Sequence, residues 1–123
     1  MMNQQKESLW QYISIKANST EFYLDAVTDS LNVKNVDTSK QHKSYKLLKS
    51  DKDSLFSWTE SIIDKKANPS VFCTDYVGKL TLRIVYSEQM SKQISYRSIC
   101  EWKNLDSNTS KIYELLSKIE HSN

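Results

Sequence analysis

Lysine recurs at every third position in residues 40–52, and a series of cations of this kind could bind phosphate groups. The lysines are Lys40, Lys43, Lys46, Lys49 and Lys52. A period of three matches neither a strand nor a helix, so regular structure would not align these side chains on one face. We therefore expect a solvated loop and an edge strand whose lysines discourage sheet-to-sheet aggregation. The alternatives are an anionic docking site or a nucleic-acid site on Lys40, Lys43, Lys46 and Lys49.

The chain contains a single glycine, Gly78, and this scarcity argues against several kinds of enzyme site. Loops that cradle phosphate bring backbone N–H groups close to the ligand, and glycine permits that approach. A phosphate loop, a dinucleotide fingerprint and a G-x-S-x-G elbow all need more glycines than this. A metal site is also unsupported, because His42 and His121 lie far apart in sequence and no C-x-x-C pair occurs. We predict no catalysis, no cofactor and no metal.

Cysteine usage and the N-terminal residues favour a cytoplasmic protein. The chain has two cysteines, Cys73 and Cys100. In a reducing cytosol we expect both to be buried thiols, which could approach each other if their strands are neighbours. No apolar run is long enough to cross a bilayer, and residues 1–7 lack the apolar core of a signal peptide. The net charge of +2 is weak for a nucleic-acid binder.

The first predicted element is a strand at residues 9–16, where side chains alternate between two faces. Ile13 and Ile15 occupy one face, and Trp10 and Tyr12 occupy the other. A strand that is apolar on both faces is usually central and covered twice. The alternative is an exposed aromatic patch, and Trp and Tyr often anchor interfaces.

A helix is predicted at residues 20–31, because its apolar residues recur at helical spacing after possible capping residues. Such a helix would carry Glu21, Asp25 and Asp29 along one face. We expect either an ordinary solvated face or an acidic docking surface for a basic partner.

The rest of the chain predicts a second helix, a hairpin and a final helix, separated by polar segments. The predicted elements are an edge strand at 44–50, a helix at 54–67, a β-rich segment at 70–77, strands at 79–86 and 93–103, and a helix at 110–121. The last two strands form an antiparallel hairpin. Its polar face would carry Arg83 and Arg97, either solvated or in contact with a partner.

The order β-α-(β)-α-(β)-β-β-α predicts one α+β domain over residues 1–123. A largely antiparallel sheet of about 4–5 strands and about three helices satisfies this order. We expect frayed ends at residues 1–8 and 121–123.

Thr28, Leu31 and Val33 form a Thr-x-x-Leu-x-aliphatic pattern at the end of the predicted helix 20–31. With the strand before it, this pattern resembles a family of small bacterial αβ domains of unknown function, over about residues 10–66. That family usually ends in a strand, whereas this chain is predicted to end in a helix. The resemblance implies no active site.

A small, glycine-poor αβ chain rich in Ser, Asn and Lys also resembles the immunity proteins of bacterial toxin systems, including contact-dependent growth inhibition. The resemblance implies a protein that binds one cognate toxin domain and blocks its active site or its access to substrate. We predict a non-catalytic protein-binding protein that does not enter membranes. The alternative is a nucleic-acid or polyanion binder that uses the basic segment 34–52. The candidate anchors for a protein partner are Trp10, Tyr12, Glu21, Asp25, Asp29, Arg83 and Arg97.

Overall fold

The computed structural model describes residues 10–35, 43–66 and 78–121. Its strands are β1 (Tyr12–Ala17), β2 (Thr20–Asp25), β3 (Ser30–Asn35), β4 (Lys43–Lys46), β5 (Gly78–Ser87) and β6 (Met90–Ile99). Its helices are α1 (Lys49–Lys65) and α2 (Ser107–His121), and a 3-10 turn at Trp102–Asn104 precedes α2. The strands form one sheet in the order β4-β3-β2-β1-β5-β6, with every neighbouring pair antiparallel. The α+β class is confirmed, but the described residues form six strands and two α-helices instead of the expected numbers.

Both helices cover one face of the sheet, which we call the inner face. Ile15 lies at its centre, opposite Phe22 on one side and Leu82 on the other. Burial of each such apolar side chain stabilises the fold by about 1.5–3 kcal/mol. The helices contribute Leu55, Ile62, Ile112 and Leu116, which are all buried against this face.

The helix predicted at residues 20–31 is wrong, because these residues form β2, a turn and the start of β3. Phe22 and Leu24 alternate inward toward the helices, as a strand requires. Val27, which belongs to the apolar stripe of the predicted helix, is 78% exposed. The helical spacing was therefore a coincidence of two short strands and the turn between them.

The β2–β3 turn is made by the side chain of Asp25. Its Oδ1 atom accepts the backbone N–H of Val27 at 2.9 Å and that of Thr28 at 3.2 Å. Asp29 then takes a left-handed φ of 55°, which Asp tolerates better than most residues. This Asp-based turn reverses the chain and fixes the register of β2 against β3.

The helix predicted at residues 54–67 is present as α1. It begins at Lys49 and not near Ser54, because Asp51 caps its first turn. The Asp51 side chain accepts the backbone N–H of Leu48 at 3.4 Å, whereas Asp53 pairs with Lys49 at 2.8 Å. The predicted edge strand 44–50 correspondingly ends at Lys46.

The predicted hairpin of strands 79–86 and 93–103 is present as β5 and β6. Its alternation breaks at Ser98, which has a left-handed φ of 57°. The break places Ile99 opposite Gly78 and turns it inward, where it is 2% exposed. Ile99 is therefore buried, although the sequence pattern assigned it to the polar face.

Cys100, which follows β6, is disulfide-bonded, so the prediction of a buried thiol is wrong for this residue. The other cysteine of the chain, Cys73, lies outside the described residues, as do Lys40 and the predicted segment 70–77. Disulfides are rare in a reducing cytosol. The cytoplasmic location stays a prediction.

The helices in the described ranges are too short and too polar to cross a lipid bilayer.

Candidate functional site

The face of the sheet opposite the helices, which we call the outer face, is polar and holds the main candidate site. Neither α1 nor α2 lies on it. Every second residue of the six strands points there, because successive strand residues alternate between the two faces. Its charged members are Lys16, Glu21, Asp25, Lys34, Lys46, Lys79, Arg83 and Arg97.

Strand register aligns these side chains in rows across the sheet. Ser14 pairs with Tyr23 on one side and with Arg83 on the other. Thr81 pairs with Ser95, and their hydroxyl oxygens are 3.1 Å apart. These pairs bring residues that are far apart in sequence onto one continuous surface.

The outer face carries an excess of positive charge. Its six cations are exposed and stand against two carboxylates, whereas the whole chain has a net charge of only +2. The rest of the molecule is therefore net negative.

None of these six cations makes an ion pair with a described residue. The ion pairs of the described residues lie at other places in the fold. They are Lys49–Asp53 at 2.8 Å, Lys52–Asp29, Lys92–Asp64 at 2.8 Å, Lys92–Glu60 at 3.7 Å and Lys103–Glu101 at 3.8 Å. The outer face thus presents cations that make no ion pair with a described carboxylate.

A stacked aromatic pair lies in the middle of the outer face. The rings of Tyr12 and Tyr23 are 4.8 Å apart at an interplanar angle of 29°. Val85, opposite Tyr12 on β5, is only 7% exposed. Burial, followed by the nearby charge of Asp25, raises the pKa of Tyr23 above its ordinary value.

The three acids assigned to one helix face are not all brought together: Glu21 and Asp25 lie on the outer face, whereas Asp29 lies in the turn between β2 and β3. Asp25 holds the turn after β2, and Glu21 accepts the hydroxyl of Ser14 at 3.0 Å. Asp29 pairs with Lys52 of α1, and the hydrogen bond from Lys52 lowers the pKa of this carboxyl. The acidic docking surface therefore does not form, because its helix does not exist.

Trp10, another predicted anchor, lies in the core. It is 5% exposed, and its ring stacks on Phe56 of α1 with centroids 5.9 Å apart and an interplanar angle of 2°. Burial under a helix was one of the two readings of the sequence. Of the remaining predicted anchors, Tyr12, Arg83 and Arg97 lie on the outer face.

The lysine tract is not brought together. Lys46 lies on the outer face, whereas Lys43 pairs with Val33 and belongs to the opposite side. Lys49 is in the first turn of α1 and pairs with Asp53. The edge-strand part of the expectation holds, because β4 is the terminal strand of the sheet.

Sequence reasoning missed Lys16 and Tyr23 as members of the site. Tyr23 was assigned to a helix, and Lys16 was placed on a strand without a known neighbour. The alternation of "TEFYLD", residues 20–25, is the signal that predicts a strand with Tyr23 facing away from Phe22 and Leu24.

A second feature is an open cavity of about 320 Å³ between the end of β6 and α2. It is lined by Trp102 and Tyr113, whose rings are 5.5 Å apart, and by Lys103. The Lys103 ammonium already contacts the Tyr113 ring at 4.8 Å and pairs with Glu101. The cavity thus offers less free charge than the outer face.

In the described ranges, no three His, Cys, Asp or Glu side chains form a group that could hold a metal ion. No family model, curated protein or solved structure matches the chain.

Proposed function

We propose that this chain is a non-catalytic binding protein that docks a partner protein on the outer face of its sheet. The observation that carries the proposal is a set of exposed cations around the Tyr12–Tyr23 pair that make no ion pair with a described residue. Tyr and Arg are the residues that most often anchor interfaces, and unpaired cations give a surface its electrostatic preference.

The size of the outer face supports this proposal. Six strands spaced about 4.8 Å apart make a sheet about 25 Å wide. A standard interface buries about 800 Å² on each partner, and a face about 25 Å wide can supply an area of that order. The inner face offers no comparable surface, because both helices occupy it.

The specific form that we propose is an immunity protein that binds and neutralises a cognate bacterial toxin domain. This part rests on the resemblance in composition to immunity proteins. Its mechanism would be occlusion: the outer face covers the toxin's active site or the path of its substrate.

Affinity capture with the intact chain from its native host tests the proposal. We expect one protein partner in a stoichiometric amount. Arg83→Ala should then weaken its binding by about tenfold or more, because a central arginine anchor is lost. The matched control is Lys111→Ala, an exposed cation on α2, which should leave binding unchanged. Recovery of RNA or DNA without a protein would defeat the proposal.

The second candidate is polyanion binding, which the excess of cations on the outer face also favours. Lys34 and Lys46, from the segment first assigned to this role, both lie there. A salt titration separates the two candidates. Binding to phosphates weakens log-linearly and steeply as salt rises, whereas an interface anchored by aromatic residues weakens far less.

A further inference from the structure

The positive charge of the outer face is concentrated on three adjacent strands, β1, β5 and β6. We call their outer-face residues the basic half. The basic half contains four exposed cations, and none of its positions on these strands is acidic. The cations are Lys16, Lys79, Arg83 and Arg97.

The other half of the outer face, on β2, β3 and β4, is electrically balanced. Its two lysines, Lys34 and Lys46, stand beside two carboxylates, Glu21 and Asp25. Lys34 pairs directly with Glu21 across the strands. A partner therefore meets two different surfaces on one face of the sheet.

The chemistry of the basic half suits carboxylates. Lys79 and Arg97 are directly opposite each other, and the Thr81–Ser95 pair lies in the next row. Arginine binds a carboxylate through two parallel hydrogen bonds, and hydroxyl groups nearby supply further donors. None of the four cations makes an ion pair with a described residue, so no described ion pair must break first, although Lys16 lies opposite Glu21 in the register of β1 and β2.

The arrangement fits a protein better than a nucleic-acid strand. A bound strand would have to follow cations across the sheet, but the path from the basic half to Lys34 and Lys46 crosses Glu21 and Asp25. The rings of Tyr12 and Tyr23 stack on each other, so their facing surfaces are not open to bases.

We infer that the basic half binds a cluster of carboxylates on the partner protein, so that an acidic patch of the partner covers β1, β5 and β6. This inference rests on the proposed function, and it adds the partner's charge and its orientation. The neutral half of the outer face then meets a part of the partner without an acidic patch.

The test uses two double variants of the intact chain that lose equal charge at different places. Lys79→Gln with Arg97→Gln removes two cations from the basic half, and Lys34→Gln with Lys46→Gln removes two from the other half. All four side chains are exposed, and surface changes of this kind leave stability within about 0.5 kcal/mol. The probes are a deca-glutamate peptide and a ten-nucleotide dT strand, titrated into isotope-labelled protein while amide resonances are followed.

We expect the peptide to shift amides of β1, β5 and β6. The first variant should weaken its binding by about tenfold and the second by less than about threefold, because close charge pairs dominate over bulk charge. Equal weakening in both variants, or no binding of the peptide, overturns the inference. A dT strand that binds about tenfold tighter than the peptide also overturns it, in favour of a nucleic acid.

Failure of this inference differs from failure of the proposed function. If affinity capture yields a stoichiometric protein partner whose affinity is the same for the wild type and for Lys79→Gln with Arg97→Gln, the proposed function stands and the inference falls. If capture yields no protein, the proposed function itself falls.

Discussion

Tyr86 and Lys92 connect the β5–β6 hairpin to α1 through a small polar cluster. The Tyr86 hydroxyl donates to Glu60 at 2.7 Å, and the Lys92 ammonium binds Asp64 at 2.8 Å. Burial, followed by the hydrogen bond to Glu60, raises the pKa of Tyr86 to about 12. The hydrogen bond to Asp64 also raises the pKa of Lys92.

This cluster predicts alkaline sensitivity. A group whose pKa is raised by folding contributes stability that is complete below its unfolded-state value, about 10 for tyrosine, and is lost as pH rises through the folded value. The stability of the wild type should therefore fall between pH about 10 and about 12. Tyr86→Phe should flatten part of this fall, as measured by urea unfolding at successive pH values. Tyr45→Phe is the control, and an unchanged slope in Tyr86→Phe would contradict the assignment.

Trp10 should matter for stability and not for binding. Because its ring is buried against Phe56, Trp10→Ala should lower the free energy of unfolding by about 3–5 kcal/mol. Leu48→Ala, at a position that is 59% exposed, is the control and should change it by less than about 0.5 kcal/mol. If the Trp10→Ala protein is as stable as the wild type but binds the partner more weakly, Trp10 contributes to the interface and not mainly to stability.

The Asp29–Lys52 pair predicts a matching effect at acid pH. Since folding lowers the pKa of Asp29, the contribution of the pair is complete above the unfolded-state value of about 4 and is lost as pH falls through the lower folded value. Asp29→Asn removes this dependence while an asparagine tolerates the left-handed backbone. Acid unfolding followed by circular dichroism should therefore be shallower in the variant than in Asp53→Asn.

At the scale of elements, the disulfide at Cys100 stabilises the end of β6 and the approach to α2. A disulfide cross-link removes conformational freedom mainly from the unfolded chain.

We expect reduction of this disulfide to lower the stability by about 3–4 kcal/mol. The measurement is urea unfolding of the wild type with and without a reductant, and Cys100→Ser should match the reduced protein. Thiol titration of the denatured wild type should find no free thiol before reduction and two afterwards. Free thiols in protein purified without a reductant would contradict the bond and support the cytoplasmic prediction.

The sequence predicted the elements whose pattern is local and regular over most of their length. The β5–β6 hairpin follows from an alternation that runs along β5 and along β6 as far as Arg97, and α2 follows from a regular apolar stripe. The β2–β3 hairpin was missed because Tyr23, Val27 and Leu31 recur every four residues, which also satisfies helical spacing. The turn itself depends on side-chain hydrogen bonds of Asp25. A pattern of residue types cannot distinguish these cases when the strands are short.

Half of the candidate site was visible in the sequence for the same reason. Arg83 and Arg97 were placed on one polar face because both belong to the predicted hairpin. Lys16 joins them only because β1 pairs with β5, and sequence periodicity does not specify which strands are neighbours. The charge asymmetry of the outer face is therefore a property of the topology.

For the whole molecule, this asymmetry predicts behaviour that needs no partner. Two double variants lower the net charge by the same amount at different places. Lys79→Gln with Arg97→Gln lowers it on the outer face, and Lys111→Gln with Lys118→Gln lowers it on α2. On a cation exchanger the first variant should elute at lower salt, because adsorption responds to the local density of cations. Elution of both variants at the same salt concentration would show that the charge is spread evenly.

The position of β1 also constrains how the chain is made. Among the described strands, β1 is synthesised first and lies between β2 and β5 in the sheet, so one of its edges has no partner until β5 is synthesised. Until then its inward isoleucines have incomplete cover, and a fragment such as residues 10–66 should remain a partly ordered, association-prone species. The segment 10–66, over which the chain resembles small bacterial αβ domains, is therefore not expected to fold alone.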